Sequence, residues 1–167
     1  MKTEVGVGLG ANIGQPQEAV RAAIRALGEL PGSRLLASSR LYRTPAWGNV
    51  SQPDFVNAAV LLETSLTPSS LLAHLLEIER KTGRRRGGDT ASTRWGPRVL
   101  DLDLLLYGDR VINESGLRVP HPHLHERAFA LVPLAEIAPH APFPGHGSVG
   151  EALRLVDAAG VEAIGDA

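Results

Sequence analysis

Apolar residues recur along this chain in two periods, one typical of strands and one typical of helices. Alternation and short apolar runs predict strands, and apolar positions three or four residues apart predict two amphipathic helices. The predicted elements, in chain order, are a strand over Glu4–Leu9, a helix over Pro16–Leu30, strands over Arg34–Tyr42 and Phe55–Leu62, a helix from Thr67 to near Gly83, and a strand over Leu100–Tyr107.

The order strand, helix, strand, strand, helix, strand is that of a split βαβ arrangement. It predicts an α+β, ferredoxin-like fold, in which two helices cover one face of an antiparallel sheet. Small C-terminal additions are predicted to follow: a ribbon containing Val111, Ile112 and Leu117–Val119, helical patterns near Arg127–Ala138 and Val149–Ala159, and a polar tail that frays. The length of 167 residues predicts a single domain over residues 1–167.

The last predicted core strand carries two carboxylates. Asp101 and Asp103 flank Leu102, so both point to one face of the strand, and the apolar run Leu104–Leu106 predicts a central place in the sheet. Carboxylates this close repel unless a cation lies between them, and Mg²⁺ prefers carboxylate, water and phosphate oxygens. Two alternatives stay open: a solvated face of an edge strand, and an ion pair of Arg98 with one of the aspartates.

A polar segment rich in arginine leads into this strand. It contains Arg84, Arg85 and Arg86 and, after a stretch of small residues, Arg94 and Trp95. The arginine fork matches phosphate oxygens, so the segment could fold over a polyphosphate beside the aspartates. A solvated surface loop explains the same composition equally well.

Three histidines alternate between positions 121 and 125, in a segment flanked by prolines. Zinc sites rest on three or four placed ligands, and no fourth ligand or acidic partner is evident nearby, so zinc is disfavoured. Loop histidines that form hydrogen bonds, or a histidine that contacts phosphate, explain the pattern better. His121 is the one that we expect to contact phosphate.

Phe55 and Asn57 share one face of their predicted strand. An amide is unusual on a core face because its donors and acceptors must be satisfied. A flat heterocycle stacked on the phenyl ring and bonded to the amide would satisfy them, and an asparagine bonded to nearby backbone is the open alternative. Trp95 and Phe129 are notable because aromatic residues make up only 4% of the chain.

Composition excludes several classes of protein. A net charge of −1 indicates no general attraction to nucleic acid or membranes, and the absence of cysteine excludes disulfides, thiolate metal sites and cysteine nucleophiles. No apolar run approaches membrane-spanning length, and the first residues lack the pattern of a signal peptide. We therefore expect a cytoplasmic monomer with no nucleic-acid or membrane partner.

Five segments, taken in order, are similar to those of one known family. They are Gly8–Asn12, Tyr42–Pro45, Gln52–Ala59, Arg94–Asp103 and Val119–Pro122. Together they resemble 6-hydroxymethyl-7,8-dihydropterin pyrophosphokinase of folate biosynthesis, over almost the whole chain up to about residue 139. The stretch Arg-Trp-Gly-Pro-Arg-X-Leu-Asp-Leu-Asp is close to a family signature.

The resemblance implies transfer of the β,γ-pyrophosphoryl group of ATP to the hydroxymethyl oxygen of 6-hydroxymethyl-7,8-dihydropterin, with release of AMP. It implies that Asp101 and Asp103 hold two Mg²⁺ ions and act in catalysis with Arg84, Arg94 and Arg98. The residues that it implies for ATP are Glu79, Arg86, Arg94, Trp95, Arg98, Leu104, His121 and Arg127, with Glu79 near the adenosine. Those that it implies for the pterin are Thr44, Pro45, Ala46, Trp47, Phe55, Asn57, Trp95 and Phe129.

Two other functions fit some of the same residues. A two-metal phosphohydrolase also uses paired aspartates and arginines, and it would release phosphate or diphosphate without a pterin. A noncatalytic RNA-binding module could display aromatic residues on a ferredoxin-like sheet. Two carboxylates that face its ligand would, however, repel the phosphates of RNA.

Overall fold

The computed structural model describes residues 1–45, 53–84 and 99–167. The core elements are β1 (Thr3–Ala11), α1 (Pro16–Gly28), β2 (Ser33–Ser38), β3 (Leu41–Thr44), β4 (Phe55–Thr64), α2 (Pro68–Arg84) and β5 (Asp101–Tyr107). They are followed by β6 (Ile112–Glu114), β7 (Leu117–Val119), a 3-10 turn (Leu124–Glu126), α3 (Ala128–Ile137), α4 (Val149–Leu153) and β8 (Glu162–Gly165). None of the described helices is long and apolar enough to cross a membrane.

The main sheet has the strand order β5-β1-β4-β3-β8, and β2 also pairs with β4. Every pairing is antiparallel. Strands β1 and β4 lie in the middle of the sheet. Helix α1 connects β1 to β2 on the far side of β4, and α2 connects β4 to β5 on the far side of β1, so the ferredoxin-like α+β prediction is confirmed.

Helices cover both faces of this sheet. Val5, Val7 and Leu9 of β1 point to the face that packs on α1 and α2, where they join one buried apolar cluster. The alternate positions of β1 point to the opposite face, which packs on α3 and α4 through a second cluster. A Cβ at Gly6 would lie 3.1 Å from Leu134 of α3, so that helix sits close to the backbone of β1.

The single strand predicted over Arg34–Tyr42 is wrong, because two strands, β2 and β3, occupy this range. Ser39 lies between them and bonds twice to Ala59 of β4. Its N–H donates to the Ala59 carbonyl at 2.9 Å, and its hydroxyl accepts the Ala59 N–H at 2.9 Å. The side-chain oxygen takes the place of a backbone carbonyl. The strand is therefore interrupted between β2 and β3 without leaving the Ala59 N–H unpaired.

The predicted central position of β5 is also wrong, because β5 forms an edge of the sheet. Leu104, Leu105 and Leu106 are still at most 5% exposed. Leu104 is buried in the apolar cluster on the side of α2, and Leu105 and Leu106 are buried in the second cluster, on the side of α3. A run of apolar residues indicates only that a strand is buried. An edge strand that other elements cover has the same run as a central strand.

The C-terminal additions differ in part from the prediction. Helix α4 ends at Leu153 instead of Ala159, and its first turn is capped by Ser148, whose hydroxyl accepts the Glu151 N–H at 3.2 Å. The tail forms β8 and pairs with β3 instead of fraying. This pairing satisfies backbone groups at the edge of β3 that a frayed tail would leave to solvent.

Candidate active site

The two aspartates of β5 lie on one face of the strand, as predicted. The register pairs Gly10 of β1 with Asp101 and Gly8 with Asp103. Both aspartates are partly exposed, whereas Leu102 between them is 4% exposed and belongs to the core of the other face. The period of the strand therefore separates the carboxylates from the apolar side chains.

A row of four positions crosses the sheet at this end. The ladders place Asp101, Gly10, Asn57 and Tyr42 side by side on β5, β1, β4 and β3. Neighbouring strands lie about 4.8 Å apart, so about 10 Å separates the backbones of Asp101 and Asn57. A Cβ at Gly10 would lie 3.0 Å from Nδ2 of Asn57. The surface between carboxylate and amide is therefore bare backbone, a feature that sequence reasoning missed.

Asn57 is 5% exposed, and its Oδ1 accepts a hydrogen bond from the Thr44 hydroxyl at 2.8 Å. This bond fixes the amide and leaves Nδ2 on the side of Gly10. Thr44 pairs with Phe55 in the β3–β4 ladder, so both share a face with Asn57. The structure thus brings three of the predicted pterin residues together, and the exposed Pro45 follows at the end of β3.

Helix α3 carries Phe129 in its first turn and packs on this same face of the sheet. The Arg127 guanidinium lies 5.6 Å from the centre of the Phe129 ring. Farther along the helix, the Tyr42 hydroxyl donates to the Glu136 carboxylate and ties α3 to β3. Burial, followed by this hydrogen bond, raises the pKa of Tyr42, so its phenol remains a donor. This contact fixes α3 against β3 on this face of the sheet.

His121 is held as a neutral imidazole at pH 7. Burial, followed by the charges of Arg127 and His123, lowers the pKa of His121 to about 4. The His123 N–H donates to Nδ1 of His121 at 3.2 Å, which assigns the ring proton to Nε2. His121 can therefore donate from Nε2 without carrying a charge.

The other histidines have an acidic partner that sequence reasoning missed. The Glu126 carboxylate lies 3.3 Å from both Nδ1 of His123 and Nε2 of His125. His125 also stacks on His146, with 4.6 Å between the ring centres. Among the described residues, no group of three His, Cys, Asp or Glu side chains is placed to hold a metal ion.

A pocket of about 280 Å³ opens along the outer side of β5. Leu72 of α2 and Leu104 contribute apolar surface, and Asp103, Arg118 and His121 contribute polar groups. Sequence reasoning missed Leu72, which reads as an ordinary core position of its helix. It also gave Arg118 no role, because nothing in the pattern of β7 marks that residue as facing a pocket.

The remaining predicted residues divide into two groups. Glu79 of α2 contacts β5, since its Oε2 accepts the Leu102 N–H at 2.6 Å, and Arg84 ends α2. The others lie outside the described residues: Ala46, Trp47, Arg86, Arg94, Trp95 and Arg98.

The pair Asp101 and Asp103 fits Mg²⁺ by the chemistry of its donors. Two partly exposed carboxylates supply hard oxygen ligands, and within the described parts of the chain no third ligand of the His, Cys, Asp or Glu type completes a protein cage. Mg²⁺ is commonly bound by one or two carboxylates, with water and substrate phosphates as its other ligands.

Fold and site together define an α+β protein in which paired carboxylates lie across bare backbone from a buried amide. The family model described as 7,8-dihydro-6-hydroxymethylpterin-pyrophosphokinase (HPPK) matches residues 6–139. The chain belongs to this family, and the resemblance noted in its sequence is confirmed.

Relatives named 2-amino-4-hydroxy-6-hydroxymethyldihydropteridine pyrophosphokinase match over nearly their full length. The one from Methylorubrum extorquens is 44% identical over 162 residues, 97% of this chain and 99% of the relative. The one from Pseudomonas aeruginosa is 42% identical over 164 residues, 98% of each chain. A solved HPPK-DHPS from Plasmodium falciparum has a TM-score of 0.63 at 13% identity, covering 91% of this chain and 43% of that longer one, which supports the fold.

Proposed function

We propose that Asp101 and Asp103 hold two Mg²⁺ ions during the reaction of this family. The chain is a pyrophosphokinase: it transfers the pyrophosphoryl group of ATP to the hydroxymethyl group of 6-hydroxymethyl-7,8-dihydropterin, a step of folate biosynthesis. Bound Mg²⁺ would neutralise the triphosphate as the pterin hydroxyl attacks the β-phosphorus. The carboxylates would hold the Mg²⁺ ions beside the triphosphate, and no covalent intermediate with the enzyme is expected.

The observation that carries the proposal is the row from Asp101 across Gly10 to Asn57. A flat bicyclic pterin can lie on the bare backbone with its polar edge at the amide and its hydroxymethyl arm toward the carboxylates. Because about 10 Å separates the backbones of Asp101 and Asn57, one substrate could reach the amide with its ring and the carboxylates with its hydroxymethyl group. A hydrolase would need no amide at the far end of the row.

The proposed pterin site, which contains Thr44, Phe55 and Asn57, would select its ligand by hydrogen bonding and stacking. Thr44 fixes the Asn57 amide before the substrate arrives, so the donor at Nδ2 is already oriented. A ring that lacks the matching polar edge would leave this buried amide unpaired, which disfavours its binding. We assign stacking on the pterin ring to Phe55 and Phe129. The family resemblance assigns the other pterin contacts to Pro45, Ala46, Trp47 and Trp95.

ATP is assigned to the outer side of β5. The apolar surface of Leu104 suits a nucleotide base, and the Nε2 proton of His121 and the charge of Arg127 suit phosphate oxygens. The family resemblance assigns Arg84, Arg86, Arg94 and Arg98 to the phosphates and Trp95 to the nucleotide. For Glu79, which accepts the Leu102 N–H, a different role is proposed below. We further propose that residues 1–167 form one pterin pyrophosphokinase domain, since the described core strands share one sheet. We also propose that it acts as a cytoplasmic monomer.

Product analysis tests the reaction. With Mg²⁺-ATP and the hydroxymethyl dihydropterin together, we expect AMP and the pterin diphosphate in equal amounts, and no AMP when either substrate is omitted. Chromatography of both products measures this. Formation of ADP, or of AMP without a pterin, would contradict the proposal, and phosphate release from ATP alone would favour the phosphohydrolase.

The neutral state of His121 is expected to appear in an NMR titration. Its ring signals should move with a midpoint near pH 4, and Arg127→Gln should raise that midpoint because a nearby positive charge is removed. The unfolded state, with an ordinary pKa of about 6.5, takes up this proton first as the pH falls. The contribution of His121 to stability is therefore lost between about pH 6.5 and pH 4. A midpoint at or above 6.5 would contradict the assignment.

A further inference from the structure

Strand β5 has one hydrogen-bonded neighbour in the sheet, and its outer side faces helix α2. An edge strand presents backbone N–H groups that must find acceptors elsewhere. At Leu102 the acceptor is Glu79, whose Oε2 lies 2.6 Å from the backbone nitrogen. A carboxylate acceptor makes this a charge-assisted bond, which is stronger and shorter than a bond to a neutral group.

Leu102 is the residue between the two aspartates, so a movement of its backbone would move both carboxylates. Its side chain is 4% exposed and packed in the core, and β1 pairs with the strand on the inner side. The bond to Glu79 holds the Leu102 backbone on its remaining side, the outer edge of the sheet. Leu71 and Leu75, both fully buried, fix α2 and therefore the carboxylate that it carries.

We infer that Glu79 is a positioning residue for the aspartate pair, acting through the backbone of Leu102 and not through contact with the adenosine. This inference rests on the proposed role of Asp101 and Asp103 as metal ligands. Partners that orient a ligand from outside the coordination shell commonly change metal affinity by about 10- to 100-fold when they are removed. Glu79 should therefore control the metal requirement more than the affinity for either substrate.

Two substitutions of similar size separate this role from a role of the charge. Glu79→Gln keeps an acceptor oxygen within reach of the Leu102 N–H, and Glu79→Met has similar length and helix propensity but no comparable acceptor. Glu77→Gln is the matched control, because Glu77 lies on the same helix in an exposed ion pair with Arg80. Wild-type-like circular dichroism would show that each variant is folded.

For Glu79→Met we expect the Mg²⁺ concentration at half-maximal rate to rise about tenfold or more, with the KM for the pterin little changed. Mn²⁺ binding measured by electron paramagnetic resonance should weaken by a similar factor, and the Leu102 amide should exchange with solvent at least about tenfold faster. Glu79→Gln should restore all three quantities to within about threefold of wild type, and Glu77→Gln should leave them unchanged.

Equal losses in Glu79→Gln and Glu79→Met would overturn the inference, because the charge and not the acceptor would then matter. A raised KM for ATP with an unchanged metal requirement would do the same and would favour contact with the adenosine. If Glu79→Met does not fold, Glu79→Asp shortens the reach while keeping the charge, and faster Leu102 exchange is expected there. Metal binding that survives Asp101→Asn together with Asp103→Asn would instead refute the proposed metal role itself.

Discussion

Asp101→Ala and Asp103→Ala are each expected to lower kcat by at least about 10³-fold while the fold is retained. Loss of a carboxylate that holds a catalytic metal removes several kcal/mol of transition-state stabilisation, and each 1.4 kcal/mol is about a tenfold change in rate. Both side chains are partly exposed, so their removal leaves no large cavity in the core. Initial rates of AMP formation at saturating substrates measure the effect.

Asp109→Ala is the matched control for this experiment. Asp109 is an exposed aspartate in the turn that follows β5, at the end of the strand away from the row. Its replacement should leave the rate unchanged. Near-normal Mg²⁺-dependent rates in both Asp101→Ala and Asp103→Ala would remove the metal assignment.

Gly10→Ala is expected to raise the KM for the pterin by about 10- to 100-fold, with little change in the KM for ATP. The new Cβ would lie 3.0 Å from Nδ2 of Asn57, so the amide must shift by a few tenths of an ångström from the position that Thr44 fixes. The added methyl group also occupies the bare backbone on which we propose that the pterin lies. A combined loss of about 1–3 kcal/mol in pterin binding corresponds to that range of affinity. ATP is assigned to the outer side of β5, away from this contact.

Gly6→Ala provides the comparison within the same strand and on the same face. Its Cβ would meet Cδ1 of Leu134 at 3.1 Å, a side chain of α3 remote from the row. We expect Gly6→Ala to lower the melting temperature without raising the KM for the pterin relative to the KM for ATP. Equal effects of Gly6→Ala and Gly10→Ala on the pterin KM would show that the bare backbone at Gly10 has no special role.

Local sequence patterns predicted the elements of the core but not every strand position. The alternation at Asp101, Leu102 and Asp103 determines which side chains face the core, because a strand has a period of two whatever its neighbours are. Whether β5 lies at the centre or at an edge depends on pairing with residues far along the chain. Likewise, β8 forms only because β3 offers it a free edge.

Local patterns predicted which residues of the candidate site share a strand face, but not how the strands align those residues. Phe55 and Asn57 share a face because they are two positions apart, and the structure agrees. The alignment of Asn57 with Gly10 and Asp101 depends on the register of three strands, which no local pattern contains. The contact between Glu79 and Leu102 depends on how α2 packs over β5.

Metal binding to an unreactive complex tests the central claim most directly. The reaction breaks the bond between the α- and β-phosphates, so α,β-methylene-ATP cannot react. With this analogue and excess protein, electron paramagnetic resonance is expected to count two bound Mn²⁺ ions per bound analogue, and Asp101→Asn together with Asp103→Asn should abolish the protein-dependent binding. An unchanged number and affinity of bound ions in that double variant would contradict the account.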